Sequence, residues 1–340
     1  MKQKTNSNPL VSVIMSAYNG EKYLGEQIKS ILDQSYSNLE LIICDDHSTD
    51  RTPEIVDEFA QKDPRVKWVR NDRNLNVALT FQKHCHLCRG EYIAPADQDD
   101  FWLPKKLEKQ VAYLQSNPHV ELVFTDDMIA NEDLSASLGS FQQKLGNFSH
   151  GGLIPIETLL KRNLVPFHVS CFRRSLLDKV LPMPKQSVCM YDHWIALVAS
   201  LTFPIGYLNE CLVLYRQHQS NLVGSGTRGV GFFIKRLNDE NLLKQFLNEK
   251  TDLIWVCEKL LASDGTLAVK KALDENINNQ KALLASLRAD NFWEYYSRLI
   301  KAGWVILNSS QKQHHFKQLS FLLFSWNGVK RLKAQLPMSV

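Results

Sequence analysis

Leu39-Glu40-Leu41-Ile42-Ile43-Cys44-Asp45-Asp46-His47-Ser48-Thr49-Asp50 decides how the rest of the chain is read. Leu39 to Cys44 is a short apolar run, suited to a strand buried on both faces. It stops at two carboxylates, and Thr52-Pro53 then offers a helix N-cap with proline at the first helical position. Ile55, Val56 and Phe59 supply that helix's buried face. The same unit recurs on either side. Upstream, Leu10 to Met15 is a strand that breaks at Tyr18-Asn19-Gly20 before Leu24, Ile28, Ile31 and Leu32 recur at helical spacing. Downstream, strands are predicted at Val66 to Val69, Glu91 to Ala94 and Val120 to Phe124. Helices are predicted around Val77 to Cys85 and from Pro104, with Leu107, Val111 and Leu114 inward. This alternation predicts an α/β fold with a Rossmann-like, mostly parallel sheet flanked by helices.

In such sheets ligands bind where the strands' carboxyl ends meet the loops. Ala17-Tyr18-Asn19, Asp45-Asp46 and Asp97-Gln98-Asp99-Asp100 all follow strands, so the three clusters are expected on one edge. Three carboxylates within four residues repel one another unless a cation compensates. Mg²⁺ or Mn²⁺ does so with oxygen ligands and substrate phosphates. The plainer reading is an acidic loop or helix N-terminus ahead of Pro104; the strand-end position favours metal. Asp45-Asp46 suits hydrogen bonds from a nucleobase imide or ribose hydroxyl, or else a helix cap, a task Thr52 already fills. No G-x-G-x-x-G follows the first strand and no Walker A motif exists, which argues against dehydrogenase and ATPase functions.

Farther along, periodicity weakens from Gly139 to Pro184, where short elements and loops are expected. Gly206 to Tyr215 is a last strand. Tyr215-Arg216-Gln217-His218-Gln219-Ser220-Asn221 follows it: Arg216 suits a diphosphate, and His218 suits a metal or a phosphate. An Arg-x-His pair at a strand end is otherwise ordinary surface. His168 either faces the acceptor or is a plain buried or surface histidine. Phe101-Trp102 and Trp194 are stacking walls for a sugar or core. Cys85-His86-Leu87-Cys88 has no second Cys pair and continues a helical pattern, so metal or redox function is not expected there.

The motifs together resemble glycosyltransferase family 2, with the GT-A fold. The residues that carry the likeness are Tyr18-Asn19, Asp45-Asp46-His47-Ser48-Thr49-Asp50 and Asp97-Gln98-Asp99, in the family's order. Asp-Gln-Asp-Asp-Phe-Trp-x-Pro looks like the bacterial rhamnosyltransferase-like branch. The resemblance spans about residues 9 to 222. It implies that Ala17, Tyr18, Asn19, Glu21, Asp45, Asp46, Asp97 and Arg216 bind the donor nucleotide. Asp97, Asp99 and His218 would hold the metal. The base normally sits in a Glu-Asp motif; here Met190-Tyr191-Asp192-His193-Trp194 makes Asp192 the candidate, with Tyr191 in place of Glu. Without a Gln-x-x-Arg-Trp motif, the likeness implies one inverting transfer, from dTDP-rhamnose or a UDP-sugar, to a hydroxyl of a surface polysaccharide or lipid-linked glycan. A nucleotidyltransferase and a non-catalytic sugar-nucleotide-binding protein are the alternatives. The first would carry a glycine- and basic-rich phosphate loop after the first strand, where this chain has Tyr18-Asn19-Gly20-Glu21.

Composition agrees with a folded protein: 44% hydrophobic and 22% charged residues in 340, with net charge +4. That charge is too small to suggest nucleic-acid binding. Its placement is uneven: from Lys301 onward there are six basic residues and no acidic ones. Phe316, Leu319, Leu322, Leu323 and Trp326 make an apolar helix face among them, suited to an anionic membrane surface or to docking on the core. Met1 to Pro9 lacks the apolar core of a signal peptide. No run approaches the ~18 apolar residues of a membrane span. Seven cysteines without regular spacing fit reduced thiols. A cytoplasmic protein is expected, with a catalytic domain at 1–224 and a helical region at 225–340 after the flexible Gly224 to Gly229.

Overall fold

The structure, a computed structural model, describes residues 8–145, 150–160, 163–183, 191–218, 240–262 and 266–287. Gly224 to Gly229, the 224/225 boundary, Gln219 to Asn221 and the basic segment through Lys333 lie outside them. The chain divides into two compact units, one of Met1–Pro155 with Asn163–Ser225 and one of Ile156–Arg162 with Gly226–Val340.

The first unit begins with the expected alternation. Strands β1 (Val11–Ala17), β2 (Leu39–Asp45), β3 (Val66–Arg70) and β4 (Tyr92–Ala96) are joined by helices α1 (Leu24–Leu32), α2 (Thr52–Lys62) and α3 (Val77–His84). All four strands pair in parallel, in the order β3-β2-β1-β4. Leu39 to Asp45 is buried throughout, as a central strand covered on both faces requires. Leu24, Ile28 and Ile31 form the buried stripe of α1.

Beyond β4 the sheet becomes mixed. β5 (Phe101–Trp102) precedes α4 (Lys106–Ser116) and β6 (Leu122–Ala130). Short elements follow: β7 (Ser137–Ser140), α5 (Phe141–Leu145), β8 (Gly152–Ile154), β9 (Ser170–Arg173) and α7 (Leu177–Val180), with α6 (Ile156–Leu159) in the second unit. α8 (Tyr191–Ala199) and β10 (Ile205–Arg216) complete the described part of the first unit. β9 enters antiparallel between β4 and β6, while β6 and β10 run parallel. The parallel order predicted from the alternation therefore holds for the first four strands and for β6 with β10. The weak periodicity of 139–184 corresponds to these short antiparallel additions.

Two local expectations are corrected. Thr52 is not the cap of α2 but its first residue. Asp50 Oδ1 accepts from Thr52 N at 3.0 Å, while Thr52 Oγ1 accepts from Gly20 N at 2.8 Å. The hydroxyl is spent on tying two loops together. β6 does not stop at Phe124 but continues through buried Thr125, Asp126 and Asp127 to Ala130. Carboxylates inside a strand read as its end; here they are buried because other groups of the unit meet them.

The described helices of the second unit are α6, α9 (Glu240–Leu261) and α10 (Leu267–Leu287). Val256, Cys257, Leu260 and Leu273 are buried, and Asn276 Nδ2 donates to Leu160 O at 3.2 Å. Among the described residues, no helix is long and apolar enough to cross a membrane.

Candidate active site

The loops after β1 and β2 are built as one hydrogen-bonded lattice. Asn19, at φ 49°, accepts from Thr49 N through Oδ1 at 2.9 Å and donates its backbone N–H to Ser48 Oγ at 2.9 Å. Glu21 N donates to Asp50 Oδ2 at 3.0 Å, and Glu21 Oε2 accepts from Arg51 N at 3.1 Å. Ala17 O accepts from Asp46 N at 2.7 Å. Asp45 is fully buried: Oδ1 accepts from Ser48 N at 3.1 Å and Oδ2 lies 3.0 Å from Arg70 Nε.

Asp46 is buried too. Its Oδ1 accepts from Asn71 Nδ2 and Leu75 N, both at 2.8 Å, and its Oδ2 accepts from Asn76 N at 2.9 Å. Of the residues expected to meet a nucleotide here, Tyr18, Asn19 and Glu21 are exposed, the Tyr18 ring at 46%, while Ala17, Asp45 and Asp46 are buried. Gln98 bridges this lattice to the acidic loop: its Oε1 accepts from Tyr18 N at 2.8 Å and its Nε2 donates to Tyr18 O at 3.1 Å. Gly20 lies so close beneath that a Cβ there would meet Gln98 Oε1 at 2.4 Å.

The acidic loop leaves the carboxyl end of β4 with each carboxylate differently placed. Asp99 Oδ2 lies 3.0 Å from His218 Nε2. Asp97 Oδ2 lies 3.3 Å from His168 Nδ1, and Asp127 Oδ2 lies 3.0 Å from His168 Nε2. Asp100 is fully buried, accepts from Arg216 N through Oδ1 at 3.2 Å, and holds Oδ2 3.8 Å from His168 Nε2. His168 is carried by the single turn Phe167–Val169, whose Val169 O accepts from Gln110 Nε2 of α4 at 2.8 Å. His168 is a buried histidine, and its pairing with acids at both ring nitrogens was not among the readings the sequence suggested. Asp127 was missed, because a buried acid inside an apolar strand looks like the strand's end.

The electrostatics are lopsided. Withdrawal from water pulls the His168 pKa down, yet Asp100, the Asp127 hydrogen bond and Asp97 outweigh it and hold it at about 10. His168 is thus an imidazolium at neutral pH. Burial raises Asp97, opposed by His168 and helped by Asp99, Asp192 and Asp127. Burial also raises Asp100 well above the usual range, again against His168. Asp100 Oδ2 and Asp127 Oδ1 are buried without a hydrogen-bond partner. Negative charge exceeds what one imidazolium compensates, the condition that favours a divalent cation.

The donor set fits such an ion. Two ligand atoms at right angles around an ion with bonds of about 2.1 Å stand about 3 Å apart, the separation of Asp99 Oδ2 and His218 Nε2. The carboxylate oxygen suits Mg²⁺ or Mn²⁺, and an imidazole beside it favours the softer Mn²⁺ over Mg²⁺. Asp97, Asp100 and His168 also place one ligand atom each within 4.8 Å of one another, but His168 faces carboxylates at both ring nitrogens. Paired with carboxylates in this way, it acts as their counter-cation.

Asp192 is the second residue of α8 and is part-exposed. Burial raises its pKa, a hydrogen bond from Asn163 pulls it down, and His193 N donates to its Oδ1 at 2.8 Å. It also raises the pKa of Asp97, so base candidate and acidic loop share one electrostatic neighbourhood.

Arg216 is placed differently from the expectation of a diphosphate ligand. Its side chain is 3% exposed; Nε donates to Asp99 O at 2.8 Å, Nη1 to Glu132 O at 2.5 Å, and Nη2 to Glu26 Oε2. The last residue of β10 turns toward α1, and the guanidinium is used up in joining loops. Trp102 is core: 1% exposed, with Lys106 Nζ 3.6 Å from its ring centroid. Trp194 is also buried, donating Nε1–H to Val180 O at 3.0 Å. Cys85 and Cys88 are buried thiols, and burial pushes the pKa of Cys85 up to about 11, which leaves it inert.

A sheet whose strand ends gather acids, histidines and a part-exposed carboxylate marks a candidate active site, and comparison with known proteins gives its family. The model of "Glycosyl transferase family 2" matches residues 12–180. An uncharacterized glycosyltransferase of Methanocaldococcus jannaschii is 32% identical over 212 residues, 61% of this chain and 71% of its own length. The chain belongs to glycosyltransferase family 2. EpsE of Bacillus subtilis, assigned as a glycosyltransferase, is 44% identical over 128 residues, 37% of this chain. That match spans 46% of EpsE, under half of its length.

Solved structures give the same fold. S. aureus TarS in complex with UDP-GlcNAc superposes with a TM-score of 0.61 at 17% identity, covering 97% of this chain and 93% of that one. The mannosyltransferase PcManGT from Pyrobaculum calidifontis, in complex with GDP-Man and Mn²⁺, gives 0.53 at 16%, covering 97% and 88%. The fold is GT-A-like, with a helical C-terminal region.

Proposed function

We propose that the protein is an inverting, metal-dependent glycosyltransferase that moves one sugar from a nucleoside-diphosphate donor to a hydroxyl of a cell-surface glycan. The observation that carries this reading is the under-compensated acidic loop at the end of β4, with His218 Nε2 3.0 Å from Asp99 Oδ2. Asp99 and His218 hold Mg²⁺ or Mn²⁺, and Asp97 faces the ion or the donor ribose. Bound there, the ion takes up charge that develops on the leaving diphosphate. Asp192 accepts the proton of the acceptor hydroxyl as it attacks the anomeric carbon from the face opposite the leaving group. Its burial-raised pKa makes it a stronger base than an exposed aspartate. Tyr18 covers the nucleobase, while Ala17, Asn19, Glu21, Asp45 and Asp46 shape the nucleotide pocket by fixing its loops.

The Asp-Gln-Asp-Asp-Phe-Trp-x-Pro pattern supports dTDP-rhamnose as donor. A UDP-sugar is the second reading, supported by the UDP-GlcNAc bound to the similarly folded TarS. Residues 1–224 form the catalytic domain. Residues 225–340 bring it to the cytoplasmic face of the membrane, where a lipid-linked acceptor lies; the basic run after Lys301 supports this placement.

Calorimetry with dTDP-rhamnose, UDP-glucose and UDP-galactose, with Mn²⁺ and with chelator, tests the reading. One donor is expected to bind in a Mn²⁺-dependent manner, with affinity roughly 100-fold lower in Asp99→Ala, at least the upper range for outer-shell changes. Asp192→Asn is expected to bind that donor like wild type and to lose about 10²–10⁴ in turnover. Donor binding indifferent to chelator and to Asp99→Ala would remove the metal from the mechanism.

A further inference from the structure

We propose that Tyr23 is a positioning residue that aims His218 at Asp99, acting through a clasp centred on Arg216. The inference rests on the reading that Asp99 and His218 hold the ion. Tyr23 stands immediately before α1, and its ring centroid lies 4.8 Å from that of His218, at an interplanar angle of 37°. The Arg216 guanidinium lies 4.7 Å from the same centroid. One aromatic ring therefore supports both functional side chains at the end of β10. The ladder of β10 ends at Arg216, with a last backbone bond from Gln217 N to Ala130 O at 2.9 Å. One residue further on, the direction of the His218 imidazole depends on what its ring touches.

The clasp around this ring joins four chain segments. Arg216 reaches Asp99 O and Asp100 Oδ1 in the acidic loop, Glu132 O after β6, and Glu26 in α1. Tyr23 Oη donates to Glu132 Oε1 at 2.6 Å, and Lys22 pairs with the same carboxylate. The buried guanidinium thus stands where loop, strand end and helix start meet, with Tyr23 as its flat seat. Tyr23 touches His218 and Arg216, not the ion, so its effect runs through the ligand's orientation.

The test titrates full-length protein with Mn²⁺ alone and with Mn²⁺ plus UDP, following free Mn²⁺ by electron paramagnetic resonance. Tyr23→Leu is expected to weaken Mn²⁺ about tenfold, while Tyr23→Phe, which keeps the ring, stays close to wild type. In a His218→Ala background, Tyr23→Leu is expected to add nothing, because it acts through the missing imidazole. Equal losses in both backgrounds, or no loss in Tyr23→Leu, would overturn the proposal. Wild-type Mn²⁺ affinity in both His218→Ala and Asp99→Ala would instead show that the metal reading itself fails. Should Tyr23→Leu not fold, as judged by circular dichroism, Glu26→Ala frees one arm of Arg216 at a half-exposed site. It should then weaken Mn²⁺ severalfold in the same His218-dependent way; Mn²⁺ affinity unchanged in that variant would count against the clasp.

Discussion

The loops after β1 and β2 and the loop after β4 stand on one sheet edge, and both are rich in Asp and Asn, yet they are opposite in kind. In the first pair, Asn19, Glu21, Asp45, Asp46 and Asp50 all accept hydrogen bonds within the chain, and Asp45 Oδ2, buried without one, is ion-paired to Arg70. In the second, Asp97, Asp99 and Asp100 crowd toward His168 and His218, and buried oxygens of Asp100 and Asp127 lack hydrogen-bond partners. A satisfied lattice fixes shape, whereas an under-compensated cluster recruits a ligand. The β1–β2 side of the site is thus architecture made of polar groups, and the β4 side crowds carboxyl groups together.

Asp46→Ala should produce the largest effect on the lattice. It removes the acceptor of the part-buried Leu75 N–H, and leaves Asn76 N only Asn74 Oδ1 and the buried Asn71 Nδ2 only Thr80 Oγ1. Each bond to an ionised group contributes about 1.5–3 kcal/mol, and the three are coupled, so a loss of about 3 kcal/mol in unfolding free energy is expected by urea titration. A variant as stable as wild type that had lost donor binding alone would break the comparison, since Asp46 would then be held in reserve for the nucleotide.

Much of this contrast was open to reading in the sequence, and the missing parts share one cause. Apolar runs ending in polar clusters located β1, β2 and β4 and brought Tyr18, Asp46 and Asp99 to one edge, because strand period and crossover rules are local and general. Asp192 and His218 came from motif likeness. Asp127, Glu132, Gln98 and Tyr23 were not foreseen. Their partners lie 41, 84, 80 and 195 residues away in sequence, and no periodicity encodes which polar group meets which across such distances. The partners of Arg216 were unforeseen for the same reason: its charge is visible in the sequence, but Glu26 and the two carbonyls that it meets are not.

A smaller effect sharpens the claim that the acidic cluster lacks compensation. Lys106, at the start of α4, is fully buried, with Gln110 Oε1 3.2 Å from Nζ and the Trp102 ring beneath it. Burial lowers its pKa to about 7, against the opposing pull of Cys171 and Asp100. The folded value lies below the unfolded one of about 10.4, so the cost of the charge is full below pH 7 and fades as pH rises toward 10. Lys106→Met should therefore be more stable than wild type at pH 6, by about 1–4 kcal/mol, with the gap narrower at pH 9 and closing only above about pH 10. Denaturation at both pH values measures it. A destabilised variant at pH 6 would mean that Lys106 already neutralises the acids from behind, and the cluster's demand for an outside cation would shrink.

Tyr18 gives the smallest effect and the finest division. It belongs to the lattice by position, but its ring is 46% exposed, and its bonds to Gln98 use only backbone atoms. Replacing it by Ala leaves those bonds in place, so stability should change by no more than about 0.5 kcal/mol, as for an ordinary surface site. If the ring covers the nucleobase, its loss removes stacking of about 1–3 kcal/mol, or roughly 5- to 150-fold in donor affinity. Truncated probes separate base from diphosphate: binding of the nucleoside diphosphate should fall in Tyr18→Ala, while binding of pyrophosphate with Mn²⁺ should not. Loss of both would place Tyr18 in the service of the metal end, and the boundary between the two halves of the site would have to move from Gln98 back to β1.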